Sequence, residues 1–459
     1  MKMKFLLSFL LLLNLGAHAQ TDSLLIRRLA DEVLTHSTAY EQLRILCKTV
    51  GPRLSGSPGM YKAEAWAKQA LKLAGADQVI EQACQVPHWE RGAVEQVSIE
   101  YVDEKGKRKT EKLDALALGN SVGTKGKALR APLLLIQDFD ELERRQTEVK
   151  GKIVVFNNVF NTRNINTGKS YGESGLYRRQ GPSRAAKYGA LAVFIRSVSA
   201  STDNHPHTGT TTYDSAYAQI PAAAIGLQDA DKMIGLLKKG VSVTGSYTST
   251  AQMLGYVEGH NIIGVWRGSE RPEQIITVGG HLDSWDPAEG AHDDGTGCVH
   301  SIEVLRALKA IGYKPKHTLR VVLFANEENG LRGGNQYARE AKEKGEQHVF
   351  ALESDAGGFT PRGFGTTMSA PQLAKLQSWL PLFKPYGVYE ITAGGGGADI
   401  GPLNRLLGTP LAGFDPDDSR YFDLHHARSD VFEQVNKREL ELGALNMAIL
   451  IYLVDQYGL

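Results

Sequence analysis

Apolar residues are spaced along this chain in three textures, and each predicts a different kind of element. From Leu24 to Leu46, and again from Tyr61 to Leu73, they recur at helical spacing, with the loop Gly51-Pro52-Arg53-Leu54-Ser55-Gly56-Ser57-Pro58-Gly59 between the two stretches. From about Pro132 to Tyr247 they gather into short runs, Leu133 to Ile136, Ile153 to Phe156 and Leu191 to Ile195, divided by polar and glycine-rich turns. That texture predicts a β-rich segment able to fold as its own module. After Met253 strand and helix patterns alternate: Ile275 to Gly279, Val299 to Ile311, Thr318 to Phe324, then Leu331 to Lys344. Alternation of this kind predicts an α/β fold with a mainly parallel central sheet flanked by helices. A last helix from Glu439 to Tyr457 is apolar along one face, and low complexity is confined to Gly394 to Gly397.

The N-terminus adds a further reading. Lys2 and Lys4 precede an apolar run from Phe5 to Leu13, followed by Ala17-His18-Ala19, the pattern of a signal peptide cleaved after Ala19. The run is too short for a membrane span, so the expectation is a secreted or periplasmic protein with no transmembrane helix. The remaining length exceeds what one core usually serves and predicts two domains. Lys plus Arg number 52 against 51 Asp plus Glu, which gives no global electrostatic reason to expect nucleic acid or an anionic membrane as partner. Three cysteines, Cys47, Cys84 and Cys298, are too few for a disulfide scaffold; a Cys47 to Cys84 bridge stays open, and Cys298 reads as a small buried thiol.

Function must therefore be argued from a site. In open α/β sheets functional groups gather at the carboxyl ends of strands. The strand ending at Gly279 runs into His281-Leu282-Asp283, and residues two apart on an extended backbone point the same way, so Asp283 is placed to orient the His281 imidazole. The next strand ends in Glu327-Glu328, and the one from Val349 to Leu352 leads to Asp355. Asp293 and Asp294 precede a helix start at Gly295-Thr296-Gly297, and His425-His426 lie in the loop before the last helix. Each alone has a plainer reading: acids at a helix N-terminus are usually caps, and a lone histidine is usually a satisfied one. Together they imply a metal, because burying so many carboxylates without a cation is strongly unfavourable. Nitrogen and oxygen ligands without thiolate suit zinc above all, with cobalt or manganese conceivable, and the number of carboxylates favours two ions.

The stretches His281-Leu282-Asp283-Ser284-Trp285-Asp286, Gly290-Ala291-His292-Asp293-Asp294-Gly295-Thr296-Gly297, Ala325-Asn326-Glu327-Glu328, Glu353-Ser354-Asp355-Ala356-Gly357 and His425-His426 with Asp430 carry a family resemblance. The chain resembles the carboxypeptidase Q branch of the two-zinc aminopeptidases and glutamate carboxypeptidases. The likeness extends over essentially the whole chain after residue 19. It implies a catalytic domain from residues 20–125 and 251–459, interrupted by a protease-associated domain at 126–250, where Ala185-Ala186-Lys187-Tyr188-Gly189-Ala190 is the clearest match.

The resemblance further implies that Asp293 bridges two zinc ions, with His281 and Asp355 completing one site and Glu328 and His426 the other. His426 is preferred to His425 because the family places its ligand four residues before an Asp, here Asp430. The peptide bond between Asp293 and Asp294 resembles one that is cis in the family. Glu327 is then the general base for attack by a metal-bridging hydroxide on a peptide carbonyl. Asp399, Gly396 and Gly397 match the family segment that lines the substrate pocket, although the glycines alone read equally well as a turn. The implied substrates are unblocked dipeptides or short peptides, cut by a dipeptidase, carboxypeptidase or aminopeptidase mode, and a homodimer is a further implied association. Two rivals share the architecture, a single-zinc glutaminyl cyclase-like enzyme and a non-catalytic receptor-like protein; the complete ligand set weighs against both.

Overall fold

The computed structural model describes residues 22–459, so the signal-peptide reading of residues 1–19 lies outside the described residues. Two eight-stranded sheets organise the chain. The first runs in the order Gln78–Glu90, Gln252–Trp266, His317–Phe324, Arg271–His281, Gln347–Glu353, Leu411–Pro416, Pro361–Thr366, Glu390–Ala393. Its four middle strands, from His317–Phe324 to Leu411–Pro416, are parallel, and antiparallel pairs flank them on both sides. Period-two alternation explains why helices cover both faces. On the strand His317–Phe324, Leu319, Val321 and Leu323 join a core with helices Pro58–Leu73, Thr296–Ala310 and Lys437–Tyr457, while Val322 and Phe324 face Tyr337, Ala338 and Leu403 on the other side.

The second sheet has the order Arg108–Leu113, Glu95–Val102, Thr244–Ser249, Leu129–Ile136, Ile153–Phe156, Ala192–Arg196, Ala222–Ile225, Ala115–Ala117. Three of these strands lie upstream of residue 126, where the insertion was expected to begin. The chain leaves the first sheet at Glu90 and re-enters it at Gln252, and these two residues are partners in the antiparallel ladder that joins entry to exit. Polar alternation in Glu95–Val102 and Arg108–Leu113 gives no compositional break, so nothing in the sequence there marks a boundary.

The segment expected to be β-rich also carries two long helices, Thr167–Ala186 and Leu227–Lys238. The first contains Gly168, Gly172, Gly175, Gly181 and Pro182, a composition that opposes helix formation in isolation. Packing overrides it: a Cβ at Gly181 would fall 2.9 Å from the Phe156 ring and 3.6 Å from Ile195, so glycine lets the helix lie close on the sheet. All three cysteines are free and buried, which removes the Cys47 to Cys84 bridge.

One buried side chain ties the N-terminal loop to the chemistry-bearing segment. Arg53 is fully buried, and its guanidinium donates to the carbonyls of Leu282, Glu289 and Gly290 (2.8 Å to the last). These three residues belong to the loop between His281 and Asp293, so the Gly51–Gly59 turn holds that loop in shape from behind. Replacing Arg53 by Met strands three buried carbonyls. We expect Arg53→Met to lower unfolding free energy by about 3 kcal/mol or more in chemical denaturation, against a change within about 0.5 kcal/mol for the exposed control Arg130→Met.

Candidate metal centre

Register brings the candidate groups to one edge. His281 pairs with Phe324 across one side of its strand, and Gly279 pairs with Glu353 across the other. The residues that follow, Glu327-Glu328 and Asp355, therefore emerge beside His281 at the carboxyl ends of three adjacent parallel strands. Asp293, from the turn before helix Thr296–Ala310, and His425-His426, from the loop before the last helix, close the group from above.

Asp293 sits at the centre with its two oxygens facing different partners. Oδ1 lies 3.2 Å from His281 Nε2, which is itself 3.4 Å from an Asp355 oxygen. Oδ2 lies 3.2 Å from His426 Nε2, which is 3.0 Å from a Glu328 oxygen. His425 Nε2 reaches only Asp293, at 3.5 Å, and its ring stacks on His426 and packs among Tyr171, Tyr421 and Phe422. Asp430 holds the turn by accepting from the main-chain N–H of His292 (2.7 Å) and of Asp293 (3.1 Å). Asp294 accepts from the N–H of His281 and of Gly297, both at 3.0 Å, and its peptide bond to Asp293 is cis.

Asp283 has a different task from the one its spacing suggested. The His281 Nδ1 atom is 2.9 Å from the main-chain carbonyl of Asp283, whereas the Asp283 carboxylate is 3.8 Å away. The carboxylate instead accepts from the N–H of Glu327 (3.0 Å) and Glu328 (3.3 Å) and from the Ser55 hydroxyl (3.3 Å). It thus fixes the turn that presents both glutamates, while the nearer contact to the imidazole is the Asp283 carbonyl.

A cavity of about 910 Å³ opens over the cluster, with Asp293, Glu327, Glu328, Asp355, His425 and His426 in its wall. Gly396, Gly397 and Asp399 are not in that wall. Asp399 is fully buried, and its N–H and that of Ile400 donate to the Glu353 carboxylate at 3.4 and 2.9 Å. A Cβ at Gly397 would fall 2.2 Å from Glu353 Cδ, so this glycine lets the segment pack closely on the strand before Asp355, whereas Gly396 is called for by its backbone, at φ +124°. The rest of the cavity wall comes from groups that the sequence did not single out: Tyr171, Arg178, Arg179 and Thr210–Tyr213 of the second sheet's module, and Asn329–Arg332 after the glutamate pair. Asn326, Leu331 and His426 hold left-handed backbone at φ 65°, 53° and 61°, a region that Asn and His enter more readily than other side chains and that Leu rarely adopts.

The electrostatics fit a bound cation. Burial opposes protonation of His281 and His426, yet Asp355 and Glu328 outweigh it and hold both rings well above the ordinary imidazole value. Burial, then the neighbouring His426, holds His425 well below it. Burial, reinforced by Asp293, pushes Glu328 up to about 7. Burial foremost also raises Glu327 well above the usual carboxylate range, with Asp355 and Glu328 adding to it against His281. The Oδ2 atom of Asp293 accepts no hydrogen bond among the described residues. Histidine nitrogens and carboxylate oxygens drawn together without thiolate, paying for burial in shifted pKa values, are the donor set of a divalent metal of the zinc type. The ligand atoms of His281, Asp293 and Asp355 all lie within 4.8 Å of one another, and so do those of Asp293, His425 and His426.

Comparison with known proteins gives a consistent set of relatives. The model of Peptidase family M28 matches residues 261–451. Carboxypeptidase Q of Homo sapiens is 36% identical over 416 residues, covering 91% of this chain and 85% of the relative, and that of Xenopus laevis is 34% identical over the same shares. Among solved structures, a peptidase M28 precursor from Shewanella amazonensis SB2B superposes with a TM-score of 0.88 at 30% identity, over 95% of this chain and 97% of that one. An aminopeptidase from Aneurinibacillus sp. strain AM-1 shares the fold at TM-score 0.63 and 21% identity, over 93% and 96% of the two chains.

Removing a cation from this cluster should be visible in stability. We expect a chelator to lower Tm, and added zinc at 100-fold over its dissociation constant to restore about 2.7 kcal/mol per site. Asp293→Asn, which weakens both groups at once, should abolish the zinc-dependent shift in differential scanning calorimetry. A Tm indifferent to chelator and zinc in the parent protein would contradict the assignment.

Proposed function

Because this chain belongs to peptidase family M28, as a carboxypeptidase Q-like metallo-exopeptidase, we propose that it hydrolyses free dipeptides or short peptides with two zinc ions held by His281, Asp293, Glu328, Asp355 and His426. The observation that carries this reading is the division of Asp293, one oxygen toward His281 and Asp355, the other toward His426 and Glu328. His426 is the preferred ligand over His425 because it alone approaches both Asp293 and Glu328. Zinc bound there would lower the pKa of a coordinated water from 15.7 to about 7 and polarise the scissile carbonyl.

The protein's own residues do the rest. Glu327 lines the cavity next to a ligand and accepts no hydrogen bond on its carboxylate among the described residues, so it is free to take a proton from the attacking water and deliver it to the leaving amine. Asp283 keeps that carboxylate in place through the Glu327 and Glu328 N–H groups. Across the cavity stand Arg178 and Arg179, which form no ion pair among the described residues; Arg178 is only 3% exposed and bonds Thr208 O and Tyr171 Oη. The Arg179 guanidinium, which makes no side-chain hydrogen bond among the described residues, is suited to the free carboxyl terminus of a short peptide, which favours a dipeptidase or carboxypeptidase mode. The protease-associated reading of residues 126–250 accords with a module that supplies these groups. Co2+ or Mn2+ would serve in the same donor set, export follows from the expected signal peptide, and no described helix is long and apolar enough to cross a membrane.

Two outcomes test this. Glu327→Gln should retain both metals by elemental analysis while kcat falls about 10²- to 10⁴-fold, the usual range for a general base; loss of metal with activity would make Glu327 a ligand instead. In a panel of free, N-blocked and C-amidated dipeptides, free dipeptides should be cleaved best and the amides should lose chiefly in KM. No cleavage of any peptide by the protein loaded with two zinc ions per chain would sink the peptidase reading.

A further inference from the structure

Of the two groups of candidate ligands, one is built within the first sheet and the other is not. His281 takes its orientation from the Asp283 carbonyl, and Asp355 follows a strand of the same sheet. His426 takes its orientation from the other module. Its Nδ1 lies 3.2 Å from the carbonyl of Thr208, and the Thr208 N–H donates back to the His426 carbonyl at 3.0 Å. The neighbouring His207 Nδ1 is 2.7 Å from the His425 carbonyl. The segment is thereby clasped to both histidines through their main chain and to one through its ring.

This clasp is itself firmly held. Thr208 is fully buried, its hydroxyl donates to Ala117 O at 2.8 Å, and its carbonyl also accepts from Arg178 Nη1 at 3.1 Å. The His207 N–H donates to Ser197 Oγ at 2.9 Å. Gly209 follows at φ +128°, and a Cβ there would fall 2.4 Å from Arg178 Cζ and 2.6 Å from His426 Nδ1, so only glycine lets the segment approach this closely. His426 meanwhile sits at φ +61°, a strained conformation that persists only when its surroundings enforce it. The Thr208 carbonyl and Arg178 Nη1, the latter 3.4 Å away, flank His426 Nδ1 and turn the other ring nitrogen toward Asp293 and Glu328, a supporting role that typically alters metal affinity 10- to 100-fold.

We propose that His207-Thr208-Gly209 is a positioning element for His426, so that the metal group Asp293–Glu328–His426 is completed across the two modules while His281–Asp293–Asp355 is self-sufficient. The inference rests on the two-metal reading above. It follows that disturbing this segment weakens one site and spares the other.

The test is zinc stoichiometry by equilibrium dialysis with elemental analysis, on full-length parent protein, Gly209→Ala, His207→Ala and His207→Asn, each checked for folding by circular dichroism. We expect two zinc ions per chain in the parent, and in Gly209→Ala and His207→Ala one tight ion with the second weakened 10- to 100-fold. His207→Asn, whose side-chain amide can reach the His425 carbonyl, should recover most of the loss. If Gly209→Ala does not fold, the His207 pair decides. Two tight ions in folded His207→Ala and in any folded Gly209→Ala, or equal weakening of both sites, overturns the proposal while leaving the function intact. A parent protein that binds fewer than two ions overturns the two-metal reading itself.

Discussion

Everything at the working end of this molecule depends on the cost of burying like charges. Asp283, Asp293, Asp294, Glu328 and Glu353, drawn from four separate stretches of chain, are buried in one cluster, with Glu327 and Asp355 at the cavity edge. Carboxylates drawn together out of water repel one another and lose hydration. The protein meets part of that cost with hydrogen bonds: main-chain N–H groups serve Asp283, Asp294, Glu353 and Asp430. Asp293, Glu328 and Asp355 face histidine nitrogens instead, and these are the groups left for a cation.

The division explains why the surrounding loops are so heavily specified. Arg53 grips the loop between His281 and Asp293 from one side, Asp430 grips the Asp293 turn from another, and Thr208 grips His426 from the second module. Left-handed backbone at Asn326 and His426 aims the residues that follow or carry the ligands. Each device uses main-chain polar groups, so the geometry is set by backbone that cannot rotate away.

The parallel core and the strand-end cluster were legible because both write themselves into residue type at short range. Val321, Leu323 and their neighbours alternate along their strand, and acids recur where strands stop. Spacing shows that the Asp283 and His281 side chains share a face, but not that the Asp283 carbonyl lies nearer to the imidazole than its carboxylate does. Gly397 packs closely on Glu353, which its composition does not announce, since glycine permits a turn, a pocket or a close approach and only tertiary contacts distinguish them. The wall formed by Arg178, Arg179 and Thr210–Tyr213 was hidden for a further reason: helix Thr167–Ala186 has a helix-breaking composition and reaches the site from another module, a juxtaposition absent from any local pattern.

The central claim is that Asp293 is shared between two metal ions. A crystal grown with zinc, with anomalous data recorded on both sides of the zinc absorption edge, addresses it most directly. The account predicts two anomalous peaks about 3.5–4 Å apart, one beside His281 and Asp355, the other beside Glu328 and His426, with an oxygen of Asp293 toward each. A single peak, or a pair that leaves Asp293 bound to only one ion, would contradict it.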